Sequence, residues 1–194
     1  MRPTRFDLRP IVRRHYQSMH PSGMNRLGFG TFTALFLFPG ALCSIVIALD
    51  YRVPATALTP ALAGLGVLTG AFLTGFVLLM NTRIKARDDD RLSYRHNLTR
   101  LMGQTAVTSL YLVVFCMGMI AGCIALAVAW DALLVVPRGL SAASGLLLAG
   151  LVHVGLTGAT FVRRLFGVYD QMFAADFAPN LQAVPTHRRS TNAG

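Results

Sequence analysis

Four apolar stretches, 29–49, 55–80, 105–130 and 139–162, run without one Asp, Glu, Lys or Arg inside them. A helix needs about 20 apolar residues to cross roughly 30 Å of hydrocarbon, and each stretch meets that length. Within lipid a single segment can satisfy all its backbone N–H and C=O groups only as a helix. The pattern therefore predicts an all-α polytopic membrane protein with four transmembrane helices. Composition closes the alternatives. Charged residues make up 13% of the 194, against about 25% in soluble domains. Mean hydropathy is +0.53. Neither an ordinary soluble domain nor a disordered chain fits these values.

The formal net charge is nevertheless +10, so the charge gathers in short polar segments. Seventeen of the 18 basic residues are Arg, with Lys85 the exception, and the eight acids are all Asp. Six basic residues precede the first stretch, six lie between the second and third, and four follow the fourth. Only Arg52 and Arg138 fall in the two other loops, near Asp50 and Asp131. Positive charge marks the cytoplasmic side, so both termini are expected inside, with helices extended into the cytoplasm. The first stretch follows a polar leader and is too long for a cleaved signal. Pro39-Gly40 predicts a kink within it. Cys43, Cys116 and Cys123 lie inside apolar runs and read as small packing residues rather than a disulfide framework or zinc site.

The expected organisation is a basic amphipathic cytoplasmic leader (1–28) and a four-helix transmembrane bundle (29–162) with a cytoplasmic helical loop (81–104). A cytoplasmic helix (163–179) and a flexible tail (180–194) follow. In the leader, Leu8, Ile11, Val12, Tyr16 and Met19 recur at helical spacing, with Arg9, Arg13 and Arg14 mostly off that stripe. Such a helix suits the anionic inner leaflet or a protein partner. Nucleic acid is not expected, because lipid phosphates already stand beside these arginines. In the loop, Asp88-Asp89-Asp90 reads as a turn with Asp90 capping the next helix. Consecutive residues point in different directions, and no Glu or His completes a metal spacing. Beyond 162, Phe166, Tyr169, Phe173 and Phe177 form an aromatic stripe. It must cover something, either the chain's own or a sister subunit's helices or a soluble partner.

Inside the apolar stretches, small residues recur at spacing four: Gly66 and Gly70, Gly118 and Gly122, and Ser141, Gly145, Ala149, His153 and Thr157. Small residues let helices approach closely in lipid, and more stripes than one protomer needs point to a symmetric homo-oligomer. His153 is the one acid- or base-type side chain deep in a stretch, and such residues are functional candidates. It reads as a neutral histidine bonded to a neighbouring helix, or as a pore-lining or proton-sensing group. No second histidine or carboxylate lies at a matching depth to make a metal or haem site. Buried carboxylates, outer-loop cysteines, paired catalytic groups and a Gly-rich phosphate loop are all missing from the sequence. No catalytic, cofactor-binding or metal-binding residue is assigned, and no cofactor is expected.

These features predict a non-enzymatic scaffold or sensor of a bacterial cytoplasmic membrane. It would oligomerise and present cytoplasmic helices to a soluble effector. The alternative is a small oligomeric channel or pore former, and an enzyme using Asp88–Asp90 is a third reading. The run LAGLGVLTGAFLTGFVLLMN (62–81), the chain length and the inward termini resemble the small four-pass membrane subunits of two-gene bacterial phage-defence systems, such as Kiwa. That resemblance implies a membrane-bound infection sensor working with a cytoplasmic effector.

Overall fold

In a computed structural model of the chain, residues 8–18, 30, 33–88 and 96–177 are described. They are helical throughout apart from short turns, and no strand occurs among them. Helix α1 spans Arg9–Ser18. A π-helical turn, Thr33–Leu37, leads into α2, Phe38–Ala48. A single 3-10 turn, Ala55–Ala57, opens α3, Leu58–Asp88. Helix α4 runs from His96 to Val128, the short α5 from Trp130 to Val135, and α6 from Gly139 to Phe177. The expectations placed on 89–95, including the Asp90 cap, and on 180–194 lie outside the described residues.

Three segments, Ala55–Lys85, Leu98–Val128 and Gly139–Asp170, are long and apolar enough to cross a membrane. These helices mark the chain as a helical membrane protein. The first apolar helix, Thr33–Ala48, is shorter, because the described helix begins four residues inside the predicted stretch. Much of the molecule's outer surface is apolar: Val67 is 73% exposed, Leu146 67% and Val128 84%. A surface of that kind belongs against lipid or another protein.

Helix α3 packs along α4, α4 along α6, and α2 along another side of α6. The core is a column of aliphatic and aromatic side chains. Leu65 and Phe72 come from α3, Leu98, Met102, Leu112 and Cys116 from α4, and Leu147, Val154 and Phe161 from α6. Phe72 meets Phe161 edge to face, ring centres 5.6 Å apart, the arrangement the ring quadrupoles favour. Because α6 approaches so closely there, a Cβ on Gly75 would stand 3.0 Å from the Phe161 ring. Polar ties cross the same interfaces: Ser109 Oγ donates to the Phe72 carbonyl and Val53 N–H to Ser144 Oγ.

The turns at the α2–α3 and α5–α6 ends each contain one non-glycine residue in the left-handed region, Asp50 (φ 46°) and Arg138 (φ 59°). A hydrogen bond from Arg52, 2.9 Å away, is the main reason the Asp50 carboxyl sits below its ordinary range, helped by Ser141. Arg138 pays the larger steric cost, about 1–2 kcal/mol for an L side chain in this region. Glycine would relieve it but costs about 0.5–1 kcal/mol in the unfolded chain. Arg138→Gly is therefore expected to raise the thermal midpoint slightly, by the equivalent of less than about 1 kcal/mol. Thermal unfolding in detergent reads this, and a fall would show that the arginine side chain contributes more than its strain.

Candidate functional site

His153 lies on α6 about 21 Å along the axis from Gly139 and is only 7% exposed. Its Nδ1 stands 3.1 Å from the Leu35 carbonyl oxygen and its Nε2 2.9 Å from the Tyr111 hydroxyl. A carbonyl can only accept, so Nδ1 carries the proton. Nε2 is then the acceptor and Tyr111 donates to it. The Tyr16 hydroxyl lies 3.3 Å from that of Tyr111 and donates in turn, because Tyr111 has already committed its proton. A directed relay results: Tyr16 on α1, Tyr111 on α4, His153 on α6, and the carbonyl of Leu35 ahead of α2.

The far end of the relay has a local cause in sequence. In an α-helix the carbonyl of residue 35 would take the N–H of residue 39. Residue 39 is proline, which has none. The helix responds with the π-helical turn Thr33–Leu37, and His153 supplies a donor to the Leu35 oxygen. Membrane helices tolerate proline where a neighbouring helix satisfies the freed group in this way. Pro39 and His153, far apart in sequence, are thus two halves of one contact.

Aromatic rings enclose the relay. The Phe115 ring centre is 4.8 Å from that of His153, and Phe36 lies within 6.3 Å. The imidazole of His15, on α1, stacks on Tyr111 at 4.0 Å with the planes 4° apart. It has no exposed surface. Toward the far end of α6, Arg164 donates to Thr108 Oγ1 at 2.9 Å, and that hydroxyl donates to the Gln104 carbonyl. Thr105, Thr108, Ser109 and Thr157 are fully buried around this end of the cluster, and Thr157 Oγ1 has no hydrogen-bond partner among the described residues.

One expectation is corrected here. His153 is not without a second histidine beside it, because α1 brings His15 onto the same tyrosine. Helix α1 is anchored where rings stack and hydroxyls meet: His15 is buried and Ile11 and Tyr16 are half-buried, while Leu8 and Val12 of the leader's apolar stripe stay 49% and 36% exposed. His15 escaped notice because it lies outside the apolar runs. Tyr111 and Thr108 were hidden within one, although TAVTSLY (105–111) places polar groups at helical spacing.

The remaining candidates are dispersed. Arg9, Arg13 and Arg14 are exposed on α1. Gly66, Gly70, Gly118 and Gly122 point outward, with nothing within 4 Å of a Cβ built on them. Gly118 and Gly122 open on an apolar groove of about 210 Å³ between α4 and α6 that also touches Met119, Cys123, Ala143 and Leu147. Gly145 is different, because a Cβ there would stand 3.0 Å from the Cys43 carbonyl oxygen of α2. Ala149 is half-buried one turn on. Tyr169 is 49% exposed and lies beside Phe166. Phe173 and Phe177 belong to α6, but their side chains are outside the described set. Among the described residues no three of His, Cys, Asp or Glu gather as a metal site. No protein-family model matches the chain, and no significant match exists among curated proteins or solved structures.

Proposed function

We propose that this is a four-pass protein of a bacterial cytoplasmic membrane that serves as a non-enzymatic sensor or scaffold subunit. It couples the position of its leader helix to a cytoplasmic extension that engages a soluble partner. The observation that carries this reading is the relay itself. One hydrogen-bonded chain joins α1, the start of the first apolar helix, α4 and α6. Displacing α1 removes Tyr16 from one end of that chain. Tyr111 and His153 sit on α4 and α6, the helices that run on past the apolar stretches 105–130 and 139–162.

Length and charge support the topology. Helix α6, with 39 residues, measures about 58 Å and exceeds the hydrocarbon by about 28 Å. The surplus carries Arg163, Arg164 and the aromatic stripe. Thr33–Ala48, with 16 residues, is the fourth crossing. Arginine bias then sets both termini in the cytoplasm, with Arg9, Arg13 and Arg14 against the anionic leaflet. The outward glycines of α3 and α4 and the groove at Gly118–Gly122 favour a homo-oligomer. A role in phage defence is the biological setting that the sequence resemblance adds.

The test joins topology, partner and flux. Reporter fusions should put both ends inside. A Tyr169→Asp variant should still insert, yet lose most of a stoichiometric soluble partner that the native protein recovers from its own cells. Purified protein in liposomes should leave ion flux at background. Flux above background would replace this reading with the channel, and a periplasmic terminus would overturn the topology.

A further inference from the structure

We propose that α1 is a proton-released latch: it stays docked on α4 while His15 is neutral and lets go when the surrounding pH falls far enough for His15 to take a proton. This rests on the proposed topology only in naming the cytoplasm as the compartment that supplies the proton. The geometry of the interface carries the rest.

Helix α1 has ten residues, too few for a stable helix in isolation. Docking must therefore hold it, and the centre of the docked face is His15. The ring lies flat on Tyr111 and edge-on to Tyr16, whose ring centre is 5.3 Å away. Among the described residues, the titratable and charged groups facing it are Tyr16 on its own helix, Tyr111 on α4, and His153 and Arg164 on α6. Phe36, from the turn ahead of α2, packs on Tyr16 and is uncharged. A proton on His15 would thus create a buried cation among two hydroxyls, a second imidazole and a guanidinium. Stacking on the phenol offsets only part of the cost of taking such a cation out of water, so the docked position favours the neutral ring.

Burial first, then the Arg164 guanidinium and the neighbouring His153, push the His15 imidazole down from 6.5 to about 3. The released helix carries the ordinary value. The undocked state therefore binds more protons between pH 6.5 and 3, and docking weakens as pH falls through that window. Above 6.5 the latch is at full strength. Between pH 7.5 and 5.5 linkage weakens docking about tenfold. Release takes Tyr16 from Tyr111, uncovers the face of Tyr111 and opens the relay at its α1 end.

Hydrogen exchange on the full-length protein in anionic-lipid nanodiscs tests this, with rates corrected for the intrinsic effect of pH. Protection of the α1 amides should fall about tenfold from pH 7.5 to 5.5, while core amides of α4 and α6 keep theirs. His15→Phe keeps a flat ring for stacking and removes the titration, so its α1 protection should not change with pH. His15→Gln, should the phenylalanine variant fail to fold, should give weaker but equally pH-independent protection. Equal protection of native α1 at both pH values overturns the latch, as does the same tenfold fall in either variant. No partner protein enters this measurement, so a missing partner would defeat the proposed function and leave the latch standing.

Discussion

A Gly145→Leu variant should fail to seat α2 against α6. A Cβ at this position would lie 3.0 Å from the Cys43 carbonyl oxygen, 3.1 Å from its Sγ and 3.5 Å from its Cα. Two of those atoms are backbone, so relief requires the whole helix to move. Within lipid no hydrophobic gain compensates for the lost fit, because the hydrocarbon tails are as apolar as leucine. Overpacking commonly costs about 1–3 kcal/mol, and a backbone clash belongs at or above the top of that range. The displaced helix would also carry the Leu35 carbonyl away from His153. Leucine at Gly66, Gly70, Gly118 or Gly122 should act otherwise. Each faces open space, and replacing a helical glycine gains up to about 1 kcal/mol in propensity. These variants should keep or raise protomer stability, and those at a contact between copies should lower the oligomer mass. Thermal unfolding and native mass measurement separate the two effects. A Gly145→Leu protein as stable as its parent, or a Gly118→Leu protein damaged as badly, would refute this assignment.

The contrast between these glycines marks how far sequence reasoning reaches. Spacing of four places small residues on one face of a helix, but it does not name what that face meets. Gly118-x-x-x-Gly122 and Ser141-x-x-x-Gly145 look alike in the sequence, yet among the described residues Gly145, of these three glycines, is the one with another helix's backbone within 4 Å of a built Cβ. The long apolar helices were legible because the solvent imposes them: hydrocarbon thickness sets their length and forbids charge within them. His153 was legible for the same reason, as an exception to that rule. Its partner was not, because Leu35 lies 118 residues away and its relevant atom is a backbone carbonyl. One inference was available all the same. Pro39 leaves the carbonyl four residues before it without its helical donor, an apolar medium makes that costly, and His153 is a buried donor. His15 gave no such signal. Outside the apolar runs a histidine in an arginine-rich segment looks solvated, and only the tertiary fold stacks it on Tyr111.

Replacing His153 by leucine should be the most damaging change to the relay, and Pro39 should determine how damaging. The substitution fills similar volume but removes the donor to the Leu35 carbonyl and the acceptor for the Tyr111 hydroxyl. Stranding a buried polar group costs about 1–3 kcal/mol, so the two together predict a loss of about 2–6 kcal/mol. Tyr111→Phe strands Nε2 and removes one acceptor of the half-buried Tyr16 hydroxyl, but it leaves the Leu35 carbonyl its donor and keeps a ring beside His15 and Phe115, so it should cost less. A glutamine side chain carries both a donor and an acceptor on a flexible arm, so His153→Gln should recover part of the loss. The decisive measurement is a double-mutant cycle with Pro39→Ala. Alanine at 39 restores an N–H where the Leu35 carbonyl needs one, so the carbonyl no longer depends on α6. His153→Leu should then cost about 1–3 kcal/mol less in the Pro39→Ala background than in the native one, a coupling within the range for residues sharing one network. Additive losses would mean that the histidine does not serve the proline's vacant donor position, and the relay would end at Tyr111 rather than reach the first apolar helix.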